Sequence, residues 1–488
     1  MVNGDILGYP VRSLKEIPPG GYYVQALLNV YTEFHRADGH VIWAPDPWEG
    51  QEFNHSPGNL YSKPRAIHFD AHRNDTVRLS LTEVVPPVQV SADTEWVKHV
   101  KIQSKLLTAF WGRPIYLGAV VQLPRDYSAQ PEVQYPVIYQ ATHFSSYPLF
   151  GFSTDNPRET AQARRFREYL GYESAQEFHQ SWISDHFPRM ITVNVQSPTP
   201  YGDTSLGVNS ANSGPYGDAI TTELIPYLEE HFRIIRKSYA RVLTGGSAGG
   251  WASLALQVYH PDFFGGAWIF CPVWVDFRSY EGLANIYEDD NAFLASQPHG
   301  PEGLYQYLRL FPDDWSWSPP PERVNLHAPN GQPMVTMRQA ALYEAVVGRG
   351  KGANAVWGPA GADGYPKPLW DDLTGRIDHS VANYMRDHGY DLRDYLEKNW
   401  GTIGPQLVGK LHFASGDMDE TQVTISLYLL EDFLKSTSNP YFGGSFEYGR
   451  PMKGHEWRPT TTAVLVKMMA DQIKKNAPAG SSGTWADE

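Results

Sequence analysis

The run "RVLTGGSAGGWASLALQVYHPDFF", Arg241 to Phe264, constrains this chain more than any other segment. A strand-like apolar stretch stops at two glycines, a serine and an alanine follow, and two more glycines open a helix-like apolar stretch. Glycine is poor inside strands and helices, and serine is a weak former of either. Residues Gly245 to Gly250 therefore read as a tight strand-to-helix turn in which the backbone doubles back with no side chains in its way. G-x-S-x-G in that setting is a nucleophile elbow, a strained turn that lifts the Ser247 hydroxyl above the carboxyl edge of a sheet. The Ala248 N–H, at the helix start, then faces the oxygen that becomes negative during acyl transfer. The rival reading is a phosphate-binding turn, but the P-loop lysine is missing and no G-x-G-x-x-G pattern replaces it.

A serine hydroxyl needs a base to take its proton and an acid to orient that base. In this architecture they follow in the order Ser, acid, His. "LHFASGDMDETQ" offers Asp417 and Asp419 in the turn after a strand-like run, and "MKGHEW" offers His455 after the last one. Local chemistry leaves both acids open. Asp419 stands where it could cap the helix "TQVTISLYLL", and Asp417 where an Asp after Gly commonly bonds its own turn.

Around these segments strands and helices alternate from about residue 96, which implies an α/β fold with a mostly parallel sheet covered on both faces. "YPVIYQA" and "RMITVNVQSP" are nearly continuous apolar runs of the kind buried in such a sheet. Pro226 should kink or shorten the helix "DAITTELIPYLEEHFRI". Residues 1–95 are β-rich and punctuated by Pro and Gly, as in a small β-sandwich-like domain. "VVPPVQVSADTEW" marks the boundary to a catalytic domain over 96–488. The alternation breaks between about 276 and 407, a stretch too long for a loop and read as a cap-like insertion. Its Trp315, Trp317, Tyr365 and Trp370 are candidates to wall a site beneath it. The tail "NAPAGSSGTWADE" reads as disordered.

Composition removes several function classes. A formal charge of −14 without a basic stripe argues against nucleic acid and against an anionic membrane surface. No run is long and apolar enough to span a membrane. Nothing at the N-terminus reads as a signal peptide, which leaves the cytosol or an exported protein whose leader has been removed. Cys271 is the only cysteine, so no internal disulfide forms, and its apolar setting reads as a buried inert thiol. "HFDAH" puts His68, Asp70 and His72 on one face of an expected strand, which reads as a solvated polar face before it reads as a zinc site. No cofactor or metal is called for.

The segments "YPVIY", "TELIPYLEEHFR", "GGSAGGWASLALQVYHPDFF", "GDMDE" and "GHEW" together resemble the putative-esterase (esterase D-like) family of α/β-hydrolases, including its feruloyl and enterochelin esterases. The resemblance spans roughly Arg113–Asp276 and Leu407–Lys474. It implies an α/β-hydrolase fold in which Ser247 is nucleophile, His455 base and Asp419 acid. The family's "YPV" strand ordinarily ends in His-Gly, which builds half of the oxyanion hole. Here Thr142 and His143 stand there, so the backbone N–H of His143 or Phe144 becomes the expected second donor beside Ala248. The expected activity is cleavage of a small-molecule carboxylic ester, aromatic esters included, with no cofactor. Amide or peptide hydrolysis and acyl transfer would use the same triad. A binding protein on an esterase scaffold is the alternative from another class. Oligomeric state stays open.

Overall fold

The structure is a computed structural model and describes residues 17–48, 56–73, 76–87, 92–154, 159–280, 284–290, 353–371, 376–419, 421–455, 457–479 and 485. Eight strands form the central sheet: β1 (Val97–Ser104), β2 (Ile115–Gln122), β3 (Val137–Ala141), β4 (Ile191–Gln196), β5 (Arg241–Gly246), β6 (Ala267–Phe270), β7 (Leu411–Gly416) and β8 (Ser445–Gly449). Their spatial order is β8-β7-β6-β5-β3-β4-β2-β1. Strands β3 to β8 are parallel, and β2 and β1 pair antiparallel at one side. This is the α/β-hydrolase architecture. The order reverses around β3, which lies between β4 and β5. Loops leaving those carboxyl ends diverge and open a crevice.

Helices cover both faces in the order α1 (Ala161–Leu170), α2 (Ala175–Trp182), α3 (Ala248–Tyr259), α4 (Leu392–Leu407), α5 (Val423–Ser436) and α6 (Thr462–Asn476). Helix α3 is apolar all round, and every residue from Ala248 to Val258 is buried, as a helix without a polar face must be. It ends at His260, just before Pro261, as proline's fixed φ and missing donor require. The segment around Pro226 departs from a regular α-helix just before the proline. Residues Ile220–Leu224 form a π turn, with Ile225 N–H bonded to Ile220 O, and regular helix resumes over Ile225–His231 with Pro226 in its first turn.

In the N-terminal region the described strands form three small antiparallel sheets: Gly20–Val24 with Arg65–Phe69; Leu27–Leu28, Leu60–Tyr61 and Glu83–Val84; and Thr32–His35 with Val41–Ala44. The last hairpin belongs to the main core. Phe34 and Ile42 are fully buried, and Phe34 meets Trp111 edge-on at 5.2 Å. Arg36 is buried beside it, donating to Gly364 O at 2.7 Å and Ala211 O at 2.8 Å. Tyr365 Oη accepts from Trp43 N at 3.0 Å and donates to Trp43 O at 3.1 Å. Strand Arg65–Phe69 ends before Asp70, which turns the chain by accepting the His72 amide at 2.9 Å, so His68, Asp70 and His72 do not share one strand face.

Between β6 and β7 the chain returns to the sheet through α4. Asp391 anchors the return: Oδ1 caps α4 at Asp394 N, 3.0 Å, and Oδ2 accepts from Phe277 N at 3.0 Å and Tyr287 Oη at 2.7 Å. Trp315 and Trp317 lie outside the described residues. Trp370 is buried against Tyr280 at 5.8 Å, in an aromatic cluster where Trp357 reaches Trp251 of α3 at 4.8 Å. Tyr365 is spent on the N-terminal hairpin. In the tail, Trp485 is buried and its carbonyl accepts from Arg189 N at 3.4 Å, because a large apolar ring finds a place in the core even in a Gly/Ser-rich setting.

Because the Thr32–Ala44 hairpin buries its apolar face in the hydrolase core, the two should unfold together. Phe34→Ala should lower stability by about 3–5 kcal/mol. Denaturant unfolding followed by far-UV and near-UV signals should keep coincident transitions. A separate early transition for the variant would show an autonomous N-terminal unit.

Candidate active site

The turn after β5 is built by missing side chains. A Cβ at Gly245 would stand 2.3 Å from Gly249 O, one at Gly250 2.7 Å from Phe270 O, and one at Gly249 2.9 Å from Thr142 Cβ. Each lies inside van der Waals contact, so only glycine lets β5, α3 and the end of β3 close on one another. Ser247 sits at the apex with φ 55° and ψ −121°, a conformation that side-chain-bearing residues rarely adopt. Its amide donates to Phe270 O at 3.0 Å, and its carbonyl accepts from Trp251 N and Val273 N at 3.1 and 3.2 Å. The backbone is held on three sides, and Gly246 and Ser247 are the half-exposed members of an otherwise buried turn.

The loops after β7 and β8 are laced together beside it. Asp417 N donates to Gly449 O at 3.1 Å, Met418 N to Lys453 O at 3.0 Å, and Lys453 N to Asp417 Oδ1 at 3.1 Å. A Cβ at Gly416 would stand 2.0 Å from Lys453 O, so the two backbones touch where β7 ends. The lacing brings Asp419 to His455: Oδ2 lies 2.8 Å from Nδ1, with the Asp419 side chain fully buried. The other oxygen, Oδ1, accepts from Thr421 N at 2.9 Å and Thr421 Oγ1 at 2.7 Å, and Thr421 Oγ1 is also 3.0 Å from His455 Nδ1. Asp419 therefore turns the chain ahead of α5 and faces the imidazole at once. Asp417 instead holds the loop that carries His455.

Cys271 closes the arrangement. It follows β6 with φ 34°, lies buried, and its thiol contacts both the His455 ring and the Ser247 backbone amide. Its position at the carboxyl end of the strand beside the elbow strand was the available signal, outweighed in the sequence by its apolar neighbours. Burial pushes the thiol above the ordinary cysteine value, so it stays protonated at neutral pH. Burial of the His455 ring opposes its protonation, but the Asp419 carboxylate paired with it favours the imidazolium and raises its pKa above the usual imidazole value. With the thiol neutral, Asp419 supplies the lasting negative charge. Cys271, Asp419 and His455 are also the one set of three metal-ligating side chains with donor atoms within 4.8 Å of one another among the described residues. The Asp419 contact already engages Nδ1 of that set.

On the other side of the elbow stand His143 and Phe144, in the loop that leaves β3. His143 Nδ1 lies 3.0 Å from both Asp203 carboxylate oxygens; that hydrogen bond outweighs burial and raises the ring's pKa. Phe144 meets Trp48 edge-on at 5.3 Å. Asn194 and Gln196 of β4 hold this loop through the Tyr147 and Ser145 carbonyls, at 3.1 and 2.8 Å. Ala248 opens α3, where first-turn N–H groups have no preceding helical carbonyl to bond. A cavity of about 630 Å³ opens here, reaching from this loop to Gly245, Gly246 and Cys271. Neither Tyr365 nor Trp370 lines it.

Residues 116–366 match the family model described as "putative esterase"; the matched segment includes the elbow and ends before Asp419 and His455. No curated protein matches the chain in sequence. Among solved structures, a ferulic acid esterase aligns at 16% identity, covering 78% of this chain and 98% of its own, with a TM-score of 0.36. An S-formylglutathione hydrolase from Agrobacterium tumefaciens aligns at 15%, covering 79% and 97%, with a TM-score of 0.37. A fluorophosphonate-binding serine hydrolase from Staphylococcus aureus aligns at 13%, covering 77% and 98%, with a TM-score of 0.33.

The Asp419–His455 contact has a direct readout. Titration of the His455 ring by NMR should give a pKa above the ordinary 6.5. Asp419→Asn removes the anion and should bring the value down by about one unit or more. Asp417→Asn keeps the acceptor for Lys453 N and should change it far less. Equal shifts in the two variants would mean that loop position, not the Asp419 charge, sets the ring's basicity.

Proposed function

The chain belongs to the putative-esterase family of α/β-hydrolases, whose members act on esters, and on that premise we propose that it cleaves small-molecule carboxylic esters by a Ser247–His455–Asp419 mechanism through an acyl-enzyme. The observation that carries this reading is the 2.8 Å Asp419–His455 contact, joined through the Cys271 thiol to the amide of a serine held at φ 55°. A serine in that backbone conformation presents its hydroxyl outward, and a histidine paired to a buried carboxylate is a competent base.

In this mechanism Ser247 Oγ bonds to the acyl carbon as its proton passes to the His455 nitrogen not paired with Asp419. Asp419 keeps Nδ1–H oriented and stabilises the imidazolium. The carbonyl oxygen becomes an oxyanion and accepts from the Ala248 N–H and from an N–H at His143 or Phe144. His455 returns the proton to the departing alkoxide, which leaves as the alcohol. Water then attacks the acyl-enzyme with His455 again as base, and the carboxylic acid departs as Ser247 regains its proton. His455 must be neutral to begin. With its pKa raised, activity should rise with pH through a value above 6.5 and be lost as the ring becomes protonated below it. The strands before residue 96 form a supporting region in this reading, reaching the site through Trp48 against Phe144.

Ser247→Ala should abolish labelling by a fluorophosphonate probe and lower kcat on 4-nitrophenyl acetate by at least ~10³-fold, with an unchanged circular dichroism spectrum. Retention of more than about a tenth of the wild-type rate in a folded variant would defeat the assignment. Parallel rates on an ester and the amide of the same acid separate esterase from amidase action, and product analysis with added alcohols reports acyl transfer.

A further inference from the structure

The cavity beside the elbow has a polar floor and a cation at its wall. Gln140 of β3, its register neighbour Asn194 of β4, and Thr244 of β5 all line it. Asn194 is buried; its Nδ2 donates to Tyr147 O at 3.1 Å, which fixes the amide, and its Oδ1 has no partner. Arg458 lines the same cavity three residues after His455. Its guanidinium stacks over Tyr172 at 4.4 Å and donates to Thr462 Oγ1 at 2.8 Å, while Nε is buried without a partner. Among the described residues no carboxylate pairs with it. The nearby Glu173 carboxylate is committed to the Thr462 and Ala463 amides, so in a chain of net charge −14 an arginine with no carboxylate paired to it among the described residues is where an incoming anion gains most.

We propose that this cavity receives one arm of the ester and that the arm is short, polar and ends in a carboxylate bound by Arg458. The inference rests on the hydrolase reading above and names the substrate class of the same site. The guanidinium supplies charge-assisted N–H donors, and Tyr172 keeps it flat against the wall. The Gln140, Asn194 and Thr244 side chains make this floor polar, which disfavours an alkyl arm. Arg458 acts on the arm and not on the reacting carbonyl, so it is a specificity residue.

The test uses three esters of one alcohol: monoethyl succinate, ethyl succinamate as its neutral polar counterpart, and ethyl pentanoate. Ethanol release is measured with wild type, Arg458→Gln and Arg458→Lys. The wild type should favour monoethyl succinate over ethyl pentanoate by about tenfold or more in kcat/KM. Arg458→Gln should erase that preference, mainly through KM, with a much smaller effect on ethyl succinamate, and Arg458→Lys should restore part of it. A wild type indifferent to the carboxylate overturns the proposal. So does an Arg458→Gln variant that loses all three esters alike, because Arg458 would then only support the His455 loop. If none of the esters is cleaved in a Ser247-dependent way, the hydrolase reading is what has failed for this class. The anion site is then judged by calorimetric titration of Ser247→Ala with succinate. Saturable binding lost in the Ser247→Ala/Arg458→Gln double variant supports it, and no binding overturns it.

Discussion

Ser247 can hold φ 55° only because no side chain stands at Gly245, Gly249 or Gly250. The three gaps let strand β5 end, reverse and become α3 within a single residue. They also let the end of β3 and the end of β6 press against the turn from opposite sides, through Thr142 and Phe270 O. The backbone strain of such a residue, on the order of 1–3 kcal/mol, is borne by the bonds that surround it: the Ser247 amide to Phe270, and the carbonyl to Trp251 and Val273. Buried packing of α3 on all faces keeps those bonds from relaxing. The same closeness makes the site compact, because whatever ends β3 and β6 must stand beside the serine.

That geometry explains why a thiol is here. Cys271 occupies the first position past β6 and is itself in the left-handed region, with its amide bonded to Ala414 O of β7 at 2.7 Å. Two residues at positive φ thus stand on adjacent strand ends, and the Cys271 thiol touches both the His455 ring and the Ser247 amide. A thiol kept neutral by burial contacts the ring without competing with Asp419 as an anion. Ser247 and Cys271 differ in what holds them, not in which strand edge they share.

Much of this site could be read from the sequence because its parts are local. The elbow is six consecutive residues, and Asp419 and His455 each follow an apolar run by a few positions, so strand-end placement comes directly from pattern. The choice between Asp417 and Asp419 depends on which loop atoms reach Lys453 and which reach His455, a matter of backbone contact between β7 and β8 that no local pattern carries. The reading of Cys271 as inert came from its apolar neighbours, which describe the interior of β6 but not what its last turn faces. Asn194 and Arg458 are typical of a buried strand and a surface loop in sequence; only the sheet order and the His455 loop bring them to one cavity. The N-terminal region was legible as strands, but its contact with the core is made by Phe34, Ile42 and Arg36 across long separations. Pattern shows that those side chains must be buried, without showing against what.

The division of labour follows from how the pieces are held. Ser247 and Cys271 stand directly past strand ends, and Asp419 three residues beyond one. Beyond the strand ends, the cavity is lined by the loop after β3, by Tyr172 ahead of α2 and by Arg458. The segments that carry Tyr172 and Arg458 are joined to one another by side chains. Lys453 Nζ donates to Tyr169 O at 2.6 Å and lies over the Tyr169 ring at 4.1 Å, and Glu173 accepts from the first amides of α6 at 2.9 and 2.7 Å. A change in these loops alters the cavity while the elbow keeps its backbone bonds. The reverse does not hold: moving β7 against β8 moves Asp417, Lys453 and His455 together, and with them Arg458 three residues on. His455 and Arg458 therefore share one short loop, and what displaces that loop displaces both.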